Sequence, residues 1–443
     1  MADRKREVTE VQLSYGHGSL SVRVPKRNLQ AVLQPLHATE VEDEAKLLRD
    51  ALVRPIGASG MPGPRLRDLA AAKLRPDRAT PADIHPGKKV VIVTSDLTRP
   101  CPTDRLLPPV LDELDAAGIP DGDITVVMAL GLHRTMTEAE METAVGPEVY
   151  RRVRVVNHDP ADTVRLGVTS AGTPVEIFRL VVEADFRICL GNLELHYFAG
   201  YSGGAKAILP GCASRATLNA NHAMMVRPEA VAGRLNGNPV RADIEEGVSM
   251  LGVDFILNVI VTGQHRIIGA VAGDVTAAHR RGCELVARRG MVTIEEHADV
   301  VLVGAGGYPK DVNLYQAQKA LDNAAHAVRD GGVLILVAEC PEGLGNETFE
   351  AWLAGTSSPD ELLARIQHEF VLGGHKAAAI AAVLKRASVY LVSALPDELV
   401  RRCGMVPIAD PERAQEMAFA ELGPEAKLLV LPHGGSILPA VQE

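Results

Sequence analysis

The chain has 443 residues, of which 47% are hydrophobic and 23% charged, as is ordinary for a globular protein. Lys and Arg number 46 and Asp and Glu number 56, which gives a net charge of −10. This charge argues against non-specific binding to nucleic acid or to an anionic membrane, although it is compatible with a local basic pocket for a small anion. At this length we expect two or three domains.

The lack of a recognisable targeting signal and the spacing of the cysteines indicate the cellular compartment. No apolar run approaches the roughly 18 residues needed to cross a bilayer, and the charged residues 1–10 do not resemble a signal peptide. Six widely spaced cysteines without a CxxC pair fit reduced thiols better than disulfides or a zinc-thiolate site. We therefore expect a cytoplasmic protein that binds neither nucleic acid nor membranes.

Strand-sized apolar runs alternate with helical stretches along the chain. Predicted strands cover 88–96, 123–131, 152–159, 182–194, 253–261, 297–307, 331–339, 387–394 and 427–436. Predicted helices cover 106–118, 137–146, 279–290 and 316–328. This alternation predicts an α/β fold with mainly parallel sheets, and the pattern restarts near residue 293. We predict two α/β domains, residues 1–292 and 293–443, with an active-site cleft between them.

Polar residues follow two of these strands, where open parallel sheets bind ligands. Asp96, Thr98 and Arg99 follow the first strand at a probable helix start, where an arginine could hold a carboxylate or phosphate. The alternative is a helix cap with an incidental surface arginine. His133 follows the next strand in a tight loop, a position suited to acid–base chemistry, although an exposed loop histidine is the alternative.

The segment with the most candidate functional residues runs from residue 192 to residue 211. It delivers His196 into a loop that contains Gly203 and Gly204 and ends at Lys206. A P-loop is a poor match, because an alanine separates the last glycine from the lysine and another alanine takes the hydroxyl position. A lone lysine among small and apolar neighbours is better placed for a lowered pKa and covalent attachment. A phosphate-binding or structural lysine is the alternative.

Two further groups of residues could contact a ligand. His222 lies sixteen residues after Lys206 and is expected on a helix; the histidine spacing matches no zinc pattern, although imidazole also suits nickel. Gln316 and Lys319 stand at positions i and i+3, so they share one helix face. An ordinary solvated helix start is the alternative for this pair.

Taken together, these segments resemble the nickel-dependent lactate racemase family. The resemblance rests on Ser-Asp-Leu-Thr-Arg-Pro at 95–100, Gly-Leu-His at 131–133, the separations from His196 through Lys206 to His222, and Tyr-Gln-Ala-Gln-Lys at 315–319. It implies a nickel-pincer nucleotide (pyridinium-3-thioamide-5-thiocarboxylic acid mononucleotide) made by separate biosynthetic enzymes.

The resemblance also implies roles for individual residues. Lys206 would hold the cofactor covalently and His222 would ligate nickel, with His133 and His196 as acid–base groups. The substrate would contact Arg99, Gln316, Lys319 and Tyr315, and the cofactor side of the site would include Asp96, Thr98, Gly203 and Gly204.

The implied reaction inverts C2 of a 2-hydroxy acid, lactate or a related acid. Proton abstraction at C2 is difficult beside a carboxylate, whereas hydride removal coupled to loss of the hydroxyl proton gives a neutral ketone. Two bases are expected because both enantiomers must be served. The alternatives are a non-catalytic carrier or sensor of the cofactor, and a metal-dependent hydrolase that uses the histidine cluster.

Overall fold

Two six-stranded sheets form the centres of two compact units, residues 38–288 and residues 1–37 together with 289–443. The computed structural model describes residues 7–34, 43–74, 88–262, 265–356, 358–368 and 370–442. The first six residues of the charged N-terminal stretch lie outside this part of the chain.

The described part of the chain contains twenty strands and fifteen α-helices. The strands are β1 (Val8–Tyr15), β2 (Gly18–Pro25), β3 (Leu29–Val32), β4 (Val90–Ser95), β5 (Ile124–Ala129), β6 (Arg154–Asn157), β7 (Thr163–Val168), β8 (Pro174–Phe178), β9 (Phe186–Asn192), β10 (Leu195–His196), β11 (Gly200–Tyr201), β12 (Phe255–Val261), β13 (Ile267–Gly273), β14 (Met291–Ile294), β15 (Ala298–Gly304), β16 (Val328–Val337), β17 (Ser388–Val392), β18 (Val406–Pro407), β19 (Leu428–Leu431) and β20 (Leu438–Val441). The helices are α1 (Glu44–Val53), α2 (Leu66–Leu74), α3 (Thr103–Ala116), α4 (Glu138–Val145), α5 (Pro147–Arg152), α6 (Arg179–Val182), α7 (Arg215–Ala223), α8 (Pro239–Ser249), α9 (Ala277–Gly290), α10 (Leu314–Ala324), α11 (Glu347–Leu353), α12 (Pro359–His368), α13 (Gly374–Leu384), α14 (Asp397–Arg402) and α15 (Pro411–Leu422).

The sheet of the 38–288 unit has the strand order β13-β12-β9-β4-β5-β6. Its strands are parallel except for β13, which pairs antiparallel with β12. Along β4, Val90 and Ile92 face one apolar cluster with α1 to α3, while Val91 and Val93 face another with α8. Burial on both faces explains why this strand reads as a continuous apolar run.

The sheet of the second unit has the order β18-β17-β16-β15-β19-β3, with all strands parallel. The β1–β2 hairpin packs on it through alternate residues, with Leu13 and Val24 both fully buried. Residues 1–37 therefore belong with the C-terminal part of the chain, whereas the sequence analysis placed them in the N-terminal domain. The reason is that β3 pairs with β19, and a pairing of such long range leaves no trace in local sequence.

The predicted α/β class with mainly parallel sheets is confirmed, and all nine predicted strands and four predicted helices are present with somewhat different ends. The six cysteines are all free thiols, and only Cys101 is not fully buried. No helix within the described ranges combines the length and the apolar character needed to span a membrane.

One buried histidine makes the stability of the fold depend on pH. His158 follows β6, is 1% exposed, and packs edge-on against Phe178 with ring centroids 5.6 Å apart. Neither ring nitrogen has a hydrogen-bond partner among the described residues. Burial lowers the pKa of His158 to about 4, since a charged ring would lose its hydration.

We predict that replacing His158 with leucine flattens the acid limb of the stability curve. The unfolded chain protonates this histidine near pH 6.5 and the folded chain near 4, so folding loses about 3 kcal/mol as pH falls through that window. Urea unfolding of wild type and His158→Leu from pH 7.5 to pH 4 should give curves that diverge by this amount. Parallel curves would contradict the prediction.

Candidate active site

The predicted site residues of the 38–288 unit lie at the carboxyl edge of its sheet. Asp96 follows β4, His133 follows β5, and the segment with His196 and Lys206 follows β9. The loops are joined directly, because the Gly131 N–H donates to the Gly211 carbonyl at 2.9 Å. Parallel neighbours end at the same edge, so three separate segments meet there.

Asp96 and His133 form a hydrogen-bonded pair. His133 Nδ1 donates to Asp96 Oδ2 at 2.6 Å, and the Thr98 hydroxyl donates to Asp96 Oδ1 at 2.8 Å. Burial alone would raise the pKa of Asp96, but these hydrogen bonds and the His133 charge hold it below its usual value. A carboxylate that receives Nδ1–H leaves Nε2 of His133 as the proton acceptor.

His196 is in the opposite protonation state at Nε2. The backbone N–H of Ala199 donates to His196 Nδ1 at 3.3 Å, so in the neutral ring the proton resides on Nε2. Burial, followed by the positive charges of Lys206 and Arg99, holds the pKa of His196 well below 6.5. In their neutral forms the two histidines therefore offer one Nε2 acceptor and one Nε2–H donor.

The glycine-rich loop before Lys206 is fixed by buried polar groups. The Ser202 hydroxyl donates to the Asn192 carbonyl at 2.9 Å, and the Gly204 N–H donates to Asn258 Oδ1 at 2.8 Å. His279, which is 1% exposed, donates from Nε2 to the Ser202 carbonyl at 2.9 Å. The loop is thus held by side chains from β12 and α9.

Gly203 and Gly204 both require the left-handed backbone region, with φ of 73° and 59°. A Cβ on Gly203 would lie 2.7 Å from the Leu193 side chain, and a Cβ on Gly204 would lie 2.7 Å from the His279 ring. The loop backbone therefore packs as closely as backbone can, and only glycine fits either position.

Lys206 lies in a short 3₁₀ turn directly after these glycines. Burial, together with the positive charges of Arg241 and Arg99, holds the pKa of Lys206 well below 10.5, while Glu194 acts in the opposite direction. An uncharged lysine amine is a nucleophile, so this environment suits formation of a covalent bond at Nζ.

The ring of Phe198 brings three of the predicted residues together. Lys206 Nζ lies 5.7 Å from its centroid, while the rings of His196 and His222 approach edge-on at 4.6 and 4.9 Å. His222 is 7% exposed near the end of α7. His196, Lys206 and His222 therefore lie around one apolar ring.

Three of the four residues expected to contact the substrate are exposed. Arg99 lies in the loop after β4, and Gln316 and Lys319 are both exposed one turn apart on α10, in the second unit. Tyr315 is partly buried, and Lys376 Nζ lies 4.0 Å from its ring centroid.

The sequence analysis missed the groups that support the site rather than those that form it. Phe198, Arg241, Asn258 and His279 were not singled out. Arg241 is 1% exposed and donates to the backbone carbonyls of Ala199, in the hairpin turn after His196, and Tyr201, in β11. The available signal for Arg241 was its position on the helix face that carries the apolar residues Ile244 and Val248. A charged residue on such a face is rarely buried unless it has partners.

Comparison with known proteins identifies the family. Residues 15–233 match the lactate racemase N-terminal domain, and residues 293–438 match the lactate racemase C-terminal domain. Lactate racemases of Thermoanaerobacterium thermosaccharolyticum and Lactiplantibacillus plantarum are 32% and 31% identical, each over 97% of this chain and 99% of the relative.

Solved structures agree with this result. The lactate racemase apoprotein of T. thermosaccharolyticum superposes with a TM-score of 0.84 at 32% identity, covering 98% of this chain and all of the other. A Thermotoga maritima protein shares the fold, with a TM-score of 0.58 at 20% identity over 85% of this chain and 98% of its own. The fold and the sequence matches thus define a racemase, a class of isomerase. The chain belongs to the lactate racemase family, as the sequence resemblance predicted.

We predict that Gly204→Ala destabilises the protein more than an equally strained substitution elsewhere. Left-handed backbone costs alanine about 1–2 kcal/mol, and the clash with His279 adds about 1–3 kcal/mol. Gly60 is the matched control, because it has φ of 77° and nothing within 4 Å of its Cβ position. Urea unfolding measures the free energy of unfolding of Gly204→Ala and of Gly60→Ala. Equal losses of stability would show that the contact with His279 is unimportant.

Proposed function

We propose that this racemase inverts C2 of a 2-hydroxy acid, with lactate as the first substrate to test. The observation that carries the proposal is the opposite protonation of the two histidines at Nε2, as a proton acceptor in His133 and a donor in His196. A racemase must remove the hydroxyl proton of one enantiomer and restore it in the other, which two such groups can do. The names of both relatives support lactate.

His133 is the group proposed to remove the hydroxyl proton in one direction. Its Nε2 lone pair is available because Nδ1–H is bound to Asp96. The ionised carboxylate stabilises the imidazolium that forms when Nε2 takes a proton. Thr98 holds the other carboxylate oxygen, so the pair keeps its orientation during the transfer.

His196 is proposed to return a proton to the oxygen of the opposite enantiomer. For this step the His196 ring would first take up a second proton from solvent, and because burial and neighbouring positive charges disfavour that charged form, it would then give its Nε2 proton to the oxygen and return to the neutral state. Formation of a bond at Lys206 would remove one of those charges, and would so tune the histidine. In the reverse reaction the two histidines exchange roles.

The donors in the site fit a nickel-pincer nucleotide, which we propose as the cofactor. Lys206 would hold it covalently through an amine whose pKa is lowered by burial, and His222 would supply an imidazole ligand to nickel. Among the described residues no three His, Cys, Asp or Glu side chains are grouped as metal ligands, so the cofactor would provide the remaining nickel ligands. When bound, such a cofactor supplies an electron-poor centre that accepts a hydride from C2 and returns it.

Other residues are proposed to line the two sides of the site. Asp96, Thr98, Gly203 and Gly204 would contact the cofactor. Arg99, Gln316, Lys319 and Tyr315 would contact the substrate, with the cations offsetting its carboxylate charge. Loading the cofactor would require the enzymes that synthesise it as partners.

The function is tested on protein coexpressed with the cofactor pathway. Denatured intact mass should reveal an adduct that is lost in Lys206→Ala. The loaded protein should invert lactate deuterated at C2 and retain the label, because hydride is returned internally. Inversion with solvent exchange would indicate proton abstraction, whereas an adduct without turnover of any chiral 2-hydroxy acid would indicate a non-catalytic carrier.

Removing either histidine should slow inversion without releasing the adduct. We predict that His133→Ala and His196→Ala each lower kcat by about 10²–10⁴, the usual contribution of a general acid or base. Intact mass should still show the adduct in both variants. A near-normal rate in either variant would contradict the two-base assignment.

Asp96→Asn tests the carboxylate separately from the histidine. The amide keeps the shape of the side chain but removes the negative charge that stabilises protonated His133. We predict that kcat falls by about 10²–10³ while KM changes little, since the effect arises after the substrate binds. Thr98→Val, which removes only the hydroxyl that donates a hydrogen bond to this carboxylate, should reduce kcat much less. Equal effects would place the role of Asp96 in local structure.

A further inference from the structure

A row of buried polar side chains extends behind His222. His222 Nδ1 lies 3.0 Å from Asn221 Oδ1, and Asn221 Nδ2 donates to Asp243 Oδ2 at 2.7 Å. Asn221 is fully buried and Asp243 is 2% exposed. The row therefore runs from the imidazole on α7 to a carboxylate on α8 in surroundings that exclude water.

The orientation of the Asn221 amide is fixed by its neighbours. Nδ2 faces two groups that can only accept, Asp243 Oδ2 at 2.7 Å and the Val240 carbonyl at 3.2 Å. A flipped amide would place its oxygen against both acceptors, which would cost two hydrogen bonds and add repulsion. The carbonyl oxygen Oδ1 must therefore point at His222.

The carboxylate that orients Asn221 is itself held on both oxygens. Thr169 donates its hydroxyl to Asp243 Oδ1, and Thr173 donates its hydroxyl to Asp243 Oδ2 at 2.9 Å. Both threonines are nearly fully buried. Because both of its oxygens accept hydrogen bonds, the Asp243 carboxylate is held in place against Asn221.

This row determines which nitrogen of His222 carries the proton. Asn221 Oδ1 can only accept, so the neutral ring places its proton on Nδ1 and its lone pair on Nε2. Metal-bound histidines generally donate their other N–H to such an acceptor, which fixes the tautomer and raises the basicity of the ligating nitrogen.

We propose that Asn221 and Asp243 are positioning residues for metal ligation by His222, in that the row Asp243–Asn221–His222 fixes the Nε2 lone pair toward the metal. The inference rests on the proposed function, since that function places nickel at His222. It adds two buried residues, neither of which touches the metal, as determinants of how firmly the metal is held.

The tautomer is measured first, on cofactor-free protein without any change to the row. Histidine labelled at its ring nitrogens gives long-range proton–nitrogen correlations for the 14 histidines, and the signal lost in His222→Ala is that of His222. At mildly alkaline pH we expect the Nδ1–H pattern for this ring. An Nε2–H pattern would overturn the inference, whether or not the protein ever binds nickel.

Nickel retention is measured second, on loaded protein challenged with a chelator. Asn221→Leu removes the acceptor for His222 at similar volume, so we expect nickel to be lost about 10–100-fold faster than from wild type. The mass adduct on Lys206 should remain, because it does not depend on His222. Unchanged nickel loss would overturn the inference.

Asn28→Leu is the matched control for loss of stability. Asn28 is 3% exposed and its amide donates to the carbonyls of Pro424 and Ala426, which belong to the same unit as Asn28, whereas the row belongs to residues 38–288. Its replacement removes a buried amide without touching the row, so nickel loss should match wild type. Equally fast loss from this control would assign the effect to general destabilisation. Wild-type protein without an adduct or nickel would instead refute the proposed function, and the tautomer measurement would still decide the inference.

Discussion

The parallel direction of β9, β4 and β5 is the constraint on which the site depends. Because these strands are neighbours and run the same way, their carboxyl ends deliver Asp96, His133 and the segment with His196 and Lys206 to one edge. β12 continues the edge and contributes Asn258, which fixes the glycine-rich loop. The shared direction of the strands therefore brings these functional groups close together.

Electrostatics explains why an acidic chain has a site suited to anions. The net charge is −10, yet the positive charges of Arg99 and Arg241 act on Lys206, against a single opposing carboxylate, Glu194. In the second unit, burial and then the charge of Lys319 lower the pKa of Lys310, so two lysines approach each other there as well. A carboxylate or phosphate would relieve this repulsion, whereas a neutral ligand would not.

Much of the fold could be predicted, and candidate site residues could be proposed, because their signals are local. Apolar runs predicted the central strands, polar residues directly after two of them made Asp96 and His133 candidates, and the glycine-rich loop made Lys206 a candidate. The supporting groups could not be predicted, because their roles depend on distant contacts. Asn258 and His279 reach the loop from fifty or more residues away, and nothing around either residue in the sequence indicates that partner.

The pairing of β3 with β19 has a consequence for how the chain is made. Leu29 pairs with Leu428, so β3 must wait until β19, which is synthesised much later, has left the ribosome before its sheet can close. Residues 38–288 have all their strand partners within their own span and can acquire their structure while synthesis continues. Until those later strands have been synthesised, the alternating apolar residues of β1 and β2 lack the surface they cover, and that interval is when the nascent protein is most exposed to aggregation.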